Sequence, residues 1–446
     1  MNFVRAFLLL LPAGVAGQTG KPVNGPSPEG RWLLTADLPE GKFILPVEII
    51  RESGDRIAAG ALATGVKFAG ATLSNQKLVL RGTSSYGPLT IRAVIQGSHL
   101  DGDWRAGSLN GHVTGERQRA DSSPESRARV FEEVCQGIDQ RYYDPAFAGV
   151  DWQALQEKYR ARGSSAKSDL ELFETINSML AELKSSHLSF VLGPAVASVD
   201  GSAESAQEVS KLLTWRTVSG KTGYMKIARF QEGSEFLRLI DQAFKDLDSL
   251  PGLIIDLRGD GGGTLSAAMR VGDHLIEQPR PVGYFATRSG LDRRNVKSMN
   301  DLDPAKLPSY DGYDVEGFYA ALRREGVVQL VTGGRTNPVY RGKVAVLLNR
   351  GTASAAEAFA AVLQEMHLAV VLGPRPSAGK MLSATQLKLS SGWVLTLPEA
   401  DFRTPGGLRL EGRGVVPDRL VKPAAGNRDV PLLEAVKLLE QPQPKN

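Results

Sequence analysis

Apolar and polar positions alternate in short runs early in the chain and then change period. Between residues 31 and 117, stretches such as 43–50, 77–81 and 89–95 are rich in Val, Ile and Leu and are separated by Gly, Asn, Asp and Ser. That rhythm predicts a small antiparallel sheet or barrel. A polar stretch at 116–126 marks a boundary. Beyond it, 128–138, 155–160 and 170–183 carry apolar residues at helical spacing, which predicts helices. Cys135 falls on the apolar face of the first, where a thiol is core rather than nucleophile. From Gly223 onward, 252–257, 343–349 and 368–373 are continuous apolar runs of buried-strand type, with a helical pattern over 355–366 between the last two. Strand, turn, helix and strand form a βαβ unit, so an α/β core is expected, with its site at a strand-to-helix turn. A last helix is expected over 430–439. The expected organisation is a β-domain at 31–117, a helical segment at 121–195 and a core at 220–440.

The N-terminus predicts destination. Residues 1–5 hold one positive charge, 6–11 are apolar with four leucines, and Ala13-Gly14-Val15-Ala16-Gly17 are small. This is the order of an export signal cleaved near Gly17 or Gln18, followed by a Gly/Pro/Ser-rich linker over 18–30. A periplasmic or extracellular protein is expected. No cysteine follows the small residues to take a lipid, and no later apolar run reaches about 18 residues, so no stable membrane anchor is expected. The chain has 53 Lys and Arg against 49 Asp and Glu, an excess too small and dispersed to suggest nucleic acid. One cysteine excludes an intramolecular disulfide. No histidine or carboxylate cluster has metal-ligand spacing, so no metal or organic cofactor is expected. His99 and His112 lie in turn-like contexts beside Gly and read as surface residues.

Five places could carry chemistry. Ser354 follows a buried strand and a tight turn, Asn349-Arg350-Gly351-Thr352, and opens a helix whose N-terminus can stabilise an anion. Yet Ser354-Ala355-Ala356-Glu357 is also a capping box, which by itself explains both polar residues. In Asp256-Leu257-Arg258-Gly259-Asp260-Gly261-Gly262-Gly263, glycines at a strand end can form an oxyanion hole, an anion nest or merely a tight turn. There Asp256 and Arg258 could be a buried pair bracing the loop. Ser185-Ser186-His187 sets hydroxyls beside an imidazole. Lys380 is either a surface charge or a desolvated base. Glu411 is a surface residue by default.

In order along the chain, His187, the 256–263 loop, Ser354 and Gly414-Val415-Val416-Pro417-Asp418 resemble the S41 serine peptidases, which include the carboxy-terminal processing proteases and the tricorn core protease. The similarity runs from about Ser126 to Glu440. It implies a crotonase-like α/β (α+β) core with a helical N-terminal segment, here preceded by a small all-β domain. It implies Ser354 as nucleophile acting on a peptide or protein substrate through an acyl-enzyme, with an oxyanion hole from the N–H of Ala355 and of a glycine in 261–263, Gly261 or Gly262 foremost. Two bases occur in the family. The Ser–Lys dyad places its Lys in a Gly-Lys-Gly context with a Gln four residues later; Lys380 follows Gly379, but Met381 and Ala384 occupy the other two places. The tricorn-like arrangement matches Ser186-His187 and Glu411, and it is favoured because an imidazole titrating near about 6.5 needs less tuning than a lysine. The family also includes non-catalytic, retinoid-binding relatives, so a binding protein for hydrophobic ligands or peptides is the competing class. Only about 30 residues separate Phe190 from Tyr224, fewer than a PDZ domain needs. The β-domain and 279–340 are what remain to shape substrate access.

Overall fold

The computed structural model describes residues 28–38, 41–52, 56–119, 123–193, 206–312, 314–334, 339–422 and 428–441. The expected export signal, and the linker as far as residue 27, lie outside the described residues. Two compact units result, one of 28–193 with 384–398, the other of 206–383 with 399–441.

The first unit opens with eight strands: Gly30–Leu38, Gly41–Arg51, Ile57–Ala61, Val66–Ser74, Lys77–Ser84, Gly87–Gln96, His99–Ala106 and Leu109–Arg117. In the sheet they stand in the order third, second, first, eighth, seventh, sixth, fifth, fourth, each pairing antiparallel with its neighbour. Alternate residues turn inward, as the two-residue period of a strand requires: Leu89, Ile91, Ala93 and Ile95 are buried, as are Leu100, Trp104 and Ala106 on the next strand. Between Ser74 and Lys77, Asn75 and Gln76 both have positive φ, 49° and 66°, the twist that a two-residue hairpin turn demands. The outer face holds His99, 2.5 Å from Glu116 across the ladder, and His112, 3.2 Å from Asp101.

Three helices follow, Pro124–Arg141, Trp152–Ser164 and Asp169–Glu182. Ser123, Asp151 and Ser168 cap them by accepting from N–H groups three residues on, which satisfies donors the helices cannot use. Gly163 permits close packing: a Cβ there would lie 2.1 Å from the Phe131 ring. Cys135 is buried, and burial, with Glu132 adding to it, pushes its thiol up to about 12. Residues 393–396 pair with the strand Ser189–Leu192, and Trp393 stacks on Phe190 with ring centroids 4.4 Å apart.

A buried charge cluster joins sheet and helices. Arg31 pairs with Asp169, the two being 5% and 0% exposed. Glu48 accepts the N–H groups of Asp169 (3.2 Å) and Leu170 (2.6 Å) at the helix start. Burial and the neighbouring Asp169 raise the Glu48 carboxyl above its ordinary range. The β-sheet and the helical segment are therefore packed as one unit.

The second unit is built on a six-stranded sheet in the order Leu213–Ser219, Thr222–Ile227, Gly252–Asp256, Lys343–Leu347, Ala369–Gly373, Arg419–Leu420. All its pairs are parallel except the first. Helices Ser234–Leu247 and Ala355–Glu365 are crossovers, which parallel neighbours require. Leu253 and Ile255 face the main core, while Ile254 faces a smaller one closed by Ala435 and Leu439 of the C-terminal helix Val430–Glu440. A second sheet joins Ser309–Tyr310, Val327–Thr332, Arg280–Thr287 and residues 400–403. Between Leu192 and Leu213 the described residues form one short helix, Ala206–Leu212. Among the described residues no helix is long and apolar enough to cross a membrane.

Breaking a buried ion pair strands its partner's charge. Asp169→Ala should therefore lower the stability of the full chain by about 3–5 kcal/mol in urea unfolding. Arg51→Ala, at an exposed pair with Glu29, should change it by less than about 1 kcal/mol.

Candidate active site

The central strands Gly252–Asp256 and Lys343–Leu347 lie side by side, with Asp256 opposite Leu347. Their carboxyl ends release two loops, 257–263 and 348–354, on the same edge of the sheet, where open α/β folds bind ligands. Side chains stitch the loops together. Thr352, fully buried, donates its hydroxyl to the carbonyl of Leu257 (2.7 Å). Asn349 Oδ1 accepts from the N–H of Gly259 (3.1 Å) and of Gly351 (2.8 Å). The N–H of Ala353 donates to the carbonyl of Asp260 (2.9 Å). Below the first loop, Arg258 binds both Asp256 (2.6 Å) and Asp429 (2.8 Å), and the Tyr224 hydroxyl donates to Asp256 (2.7 Å). Asp256 and Arg258 thus form the bracing pair.

Ser354 stands where the second loop becomes the helix Ala355–Glu365, at φ 57° and ψ −126°. An N-cap residue normally sits in the extended region, so this conformation is not that of a simple cap. A non-glycine residue held at positive φ costs about 1–3 kcal/mol and persists only where its surroundings over-determine it. They do so here. The Ser354 N–H donates to the carbonyl of Lys380 (2.9 Å) and to Glu357 Oε2 (3.1 Å). Glu357, fully buried, also accepts from Ser377 Oγ (2.5 Å) and from the N–H groups of Gly379 (2.7 Å) and Lys380 (2.8 Å). Burial raises the Glu357 carboxyl and these donors pull it back in part.

Gly262 packs on the nucleophile candidate: a Cβ there would fall 2.6 Å from Ser354 Cβ and 3.1 Å from the Ala355 nitrogen, so only glycine fits. Its N–H donates to Asp260 Oδ1 (2.8 Å). Asp260 is fully buried, and desolvation holds its carboxyl well above the ordinary range, with Arg229 opposing. Gly263 and Ala355 share with Ser354 a cavity of about 40 Å³, whose walls include Leu265, Met269, Phe285 and Phe318. The first N–H groups of a helix have no partner within it, and the N–H of Ala355 belongs to them.

Residues 221–421 match the sequence profile of peptidase family S41, and residues 123–181 that of the tricorn protease C1 domain. Residues 221–421 are a peptidase family S41 core. Among its relatives, the chloroplastic C-terminal processing peptidase of Tetradesmus obliquus is 27% identical over 203 residues, 45% of this chain and 35% of the relative. The carboxy-terminal-processing protease of Bartonella bacilliformis is 26% identical over 211 residues, 46% of this chain and 40% of the relative. The matching stretch thus spans well under half the length of either. A candidate peptidase from Parabacteroides merdae has a crystal structure with TM-score 0.53 at 20% identity, covering 72% of this chain and 98% of that one. That likeness concerns the fold.

Within the S41 core, Ser354, Ala355, Gly262 and the main chain of Lys380 are brought together. Gly261 is half-buried. Glu411 lies next to the same cluster, its Oε2 accepting the Met381 N–H (2.7 Å). Lys380 is partly buried. Ser186 and His187 belong to the first unit. There they form a turn in which His187 has φ 56° and its Nδ1 lies 2.7 Å from Ser186 Oγ. Asn177 holds the strand after that turn through Phe190, accepting its N–H (3.2 Å) and donating to its carbonyl (2.9 Å). The sequence shows Asn349 and Thr352 only as parts of the turn before Ser354, and Glu357 only as a cap residue; nothing local marks a hydroxyl as the rivet of a loop 95 residues away.

Glu357 accepts with both oxygens, so an amide in its place turns an NH₂ toward hydrogen-bond donors in either orientation. Glu357→Gln should therefore cost about 2–5 kcal/mol despite equal size, measured by urea unfolding at neutral pH.

Proposed function

We propose that the chain is an exported serine peptidase that cleaves peptide bonds in peptide or protein substrates through an acyl-enzyme on Ser354. The observation that carries this reading is Ser354 itself, held at a strained backbone and lining an apolar cavity together with Gly263 and Ala355. Ser354 Oγ attacks the substrate carbonyl and its proton passes to Nε2 of His187. The oxyanion is met by the Ala355 N–H and by a glycine N–H of 261–263, in the field of the helix N-terminus. The imidazolium returns the proton to the leaving amine, the C–N bond breaks, and an ester remains. His187 then deprotonates water, which hydrolyses the ester and regenerates Ser354. For Nε2 to accept a proton, Nδ1 must carry one; the contact between Nδ1 and Ser186 Oγ supports a role for Ser186 as acceptor that selects this tautomer. Glu411 completes the orienting set. The relatives' names support a processing role on protein tails, and the order of residues 1–17 supports export.

A fluorophosphonate probe should label the wild type and leave Ser354→Ala unlabelled. His187→Ala should lower turnover about 10³-fold or more, and Lys380→Ala much less. A larger loss for Lys380→Ala than for His187→Ala replaces this mechanism with a Ser354–Lys380 dyad. Neither labelling nor hydrolysis across a broad peptide library, with the chain matured at its N-terminus, points to a binding protein for peptides or hydrophobic ligands.

A further inference from the structure

The loop beside Ser354 contains three consecutive glycines, Gly261, Gly262 and Gly263. No Cβ restrains them, so several peptide orientations are sterically open. A working oxyanion site needs one of these orientations, because donors must point where charge develops. Part of the choice is made by Phe230. Its N–H donates to the Gly262 carbonyl (2.9 Å) and its carbonyl accepts from Thr264 (2.9 Å). In such a ladder the residue between these two groups turns its own N–H the opposite way. The Gly263 N–H therefore faces away from Phe230, and Gly263 lines the cavity with Ser354 and Ala355. The peptide before it remains to be held.

We infer that Asp260 is the positioning residue of the oxyanion site: its Oδ1 pins the Gly262 N–H away from the cavity, and so selects the loop conformation that offers the Gly263 N–H to a substrate oxygen. The inference rests on the reading of Ser354 as nucleophile. The side chain accepts from Gly262 at 2.8 Å. The Asp260 carbonyl accepts from Ala353, the residue before the nucleophile, at 2.9 Å, and its N–H donates to Leu257 at 3.0 Å. Asp260 thus ties the glycine loop to the Ser354 turn with main chain and side chain together. Among the described residues its Oδ2 meets no hydrogen-bond partner, although the residue is fully buried. One oxygen is used, so an amide that keeps Oδ1 as acceptor can do the same work. In this Asp260 differs from Glu357, which accepts on both oxygens.

The test compares full-length wild type, Asp260→Ala and Asp260→Asn in hydrolysis of N-acetyl-alanine p-nitrophenyl ester. Asp260→Ala should lose about 10²-fold or more in kcat with KM within about 3-fold, and Asp260→Asn should recover all but about 5-fold of that loss. If Asp260→Ala does not fold, Asp260→Leu, of similar size and without an acceptor, replaces it. Wild-type-like kcat in the variant without an acceptor, or equal damage in Asp260→Asn, overturns the inference. Should the wild type hydrolyse and label nothing, the Ser354 reading fails, and amide hydrogen exchange at Gly262 decides the rest. Protection lost in the acceptor-free variant and kept in Asp260→Asn supports the pin. Protection kept in both overturns it.

Discussion

The site hangs on one buried carboxylate. Glu357, a turn into the helix that Ser354 opens, accepts from Ser354, Ser377, Gly379 and Lys380. Ser377 Oγ in turn accepts from the N–H of Val415 (2.6 Å). Three segments far apart in sequence are thereby fastened to one point: the nucleophile turn, the 377–380 loop and the 414–418 ending. A carboxylate in a dry interior is costly unless hydrogen-bonded, and the donors that make it tolerable are the groups the site needs held still. Stability and geometry have the same origin here.

The same point explains how Ser354 is kept in an unfavourable conformation. Positive φ at a serine costs about 1–3 kcal/mol, and two hydrogen bonds from its N–H return about 0.5–1.5 kcal/mol each. The balance is close to even, so the conformation survives because the remaining structure admits no other. Gly262 seals it from the opposite side, since any side chain there would collide with Ser354 Cβ. Strain at the nucleophile and glycine at the facing loop are two halves of one constraint.

Much of this was legible in the chain. The runs around 252–257, 343–349 and 368–373 became the parallel strands Gly252–Asp256, Lys343–Leu347 and Ala369–Gly373, because continuous β-branched stretches bounded by Gly suit a sheet buried on both faces. The helix over 355–366 and the S41 motifs at 256–263 and 351–357 were equally readable, being local. The partners of Glu357 were not. Ser-x-x-Glu is satisfied by a capping box, and that box is present, the Ser354 N–H donating to Glu357. Nothing local reveals that the other oxygen reaches Ser377. The Arg31–Asp169 pair was hidden for a related reason, since a contact spanning 138 positions leaves no periodic trace. It made the sheet and the helices, separate in pattern, one packed unit.

Asp260 and Glu357 are both acids buried near one hydroxyl, and burial raises both carboxyls. Their environments nonetheless differ in kind. Glu357 is surrounded by donors, which favour the ionised form, whereas Asp260 has one donor on Oδ1 and Arg229 as its opposing charge. Raising a carboxyl above its unfolded value makes the native state hold a proton that the unfolded chain has released. The associated stability is complete below about pH 4, the unfolded range, and is lost as pH rises through the folded value. An amide never releases that proton, so burial of residue 260 is less sensitive to pH as Asn than as Asp. Desolvation favours the neutral form of Asp260, which puts less negative charge beside a developing oxyanion than the ionised form would. The burial that makes Asp260 expensive to ionise therefore also suits it to stand behind the glycine loop.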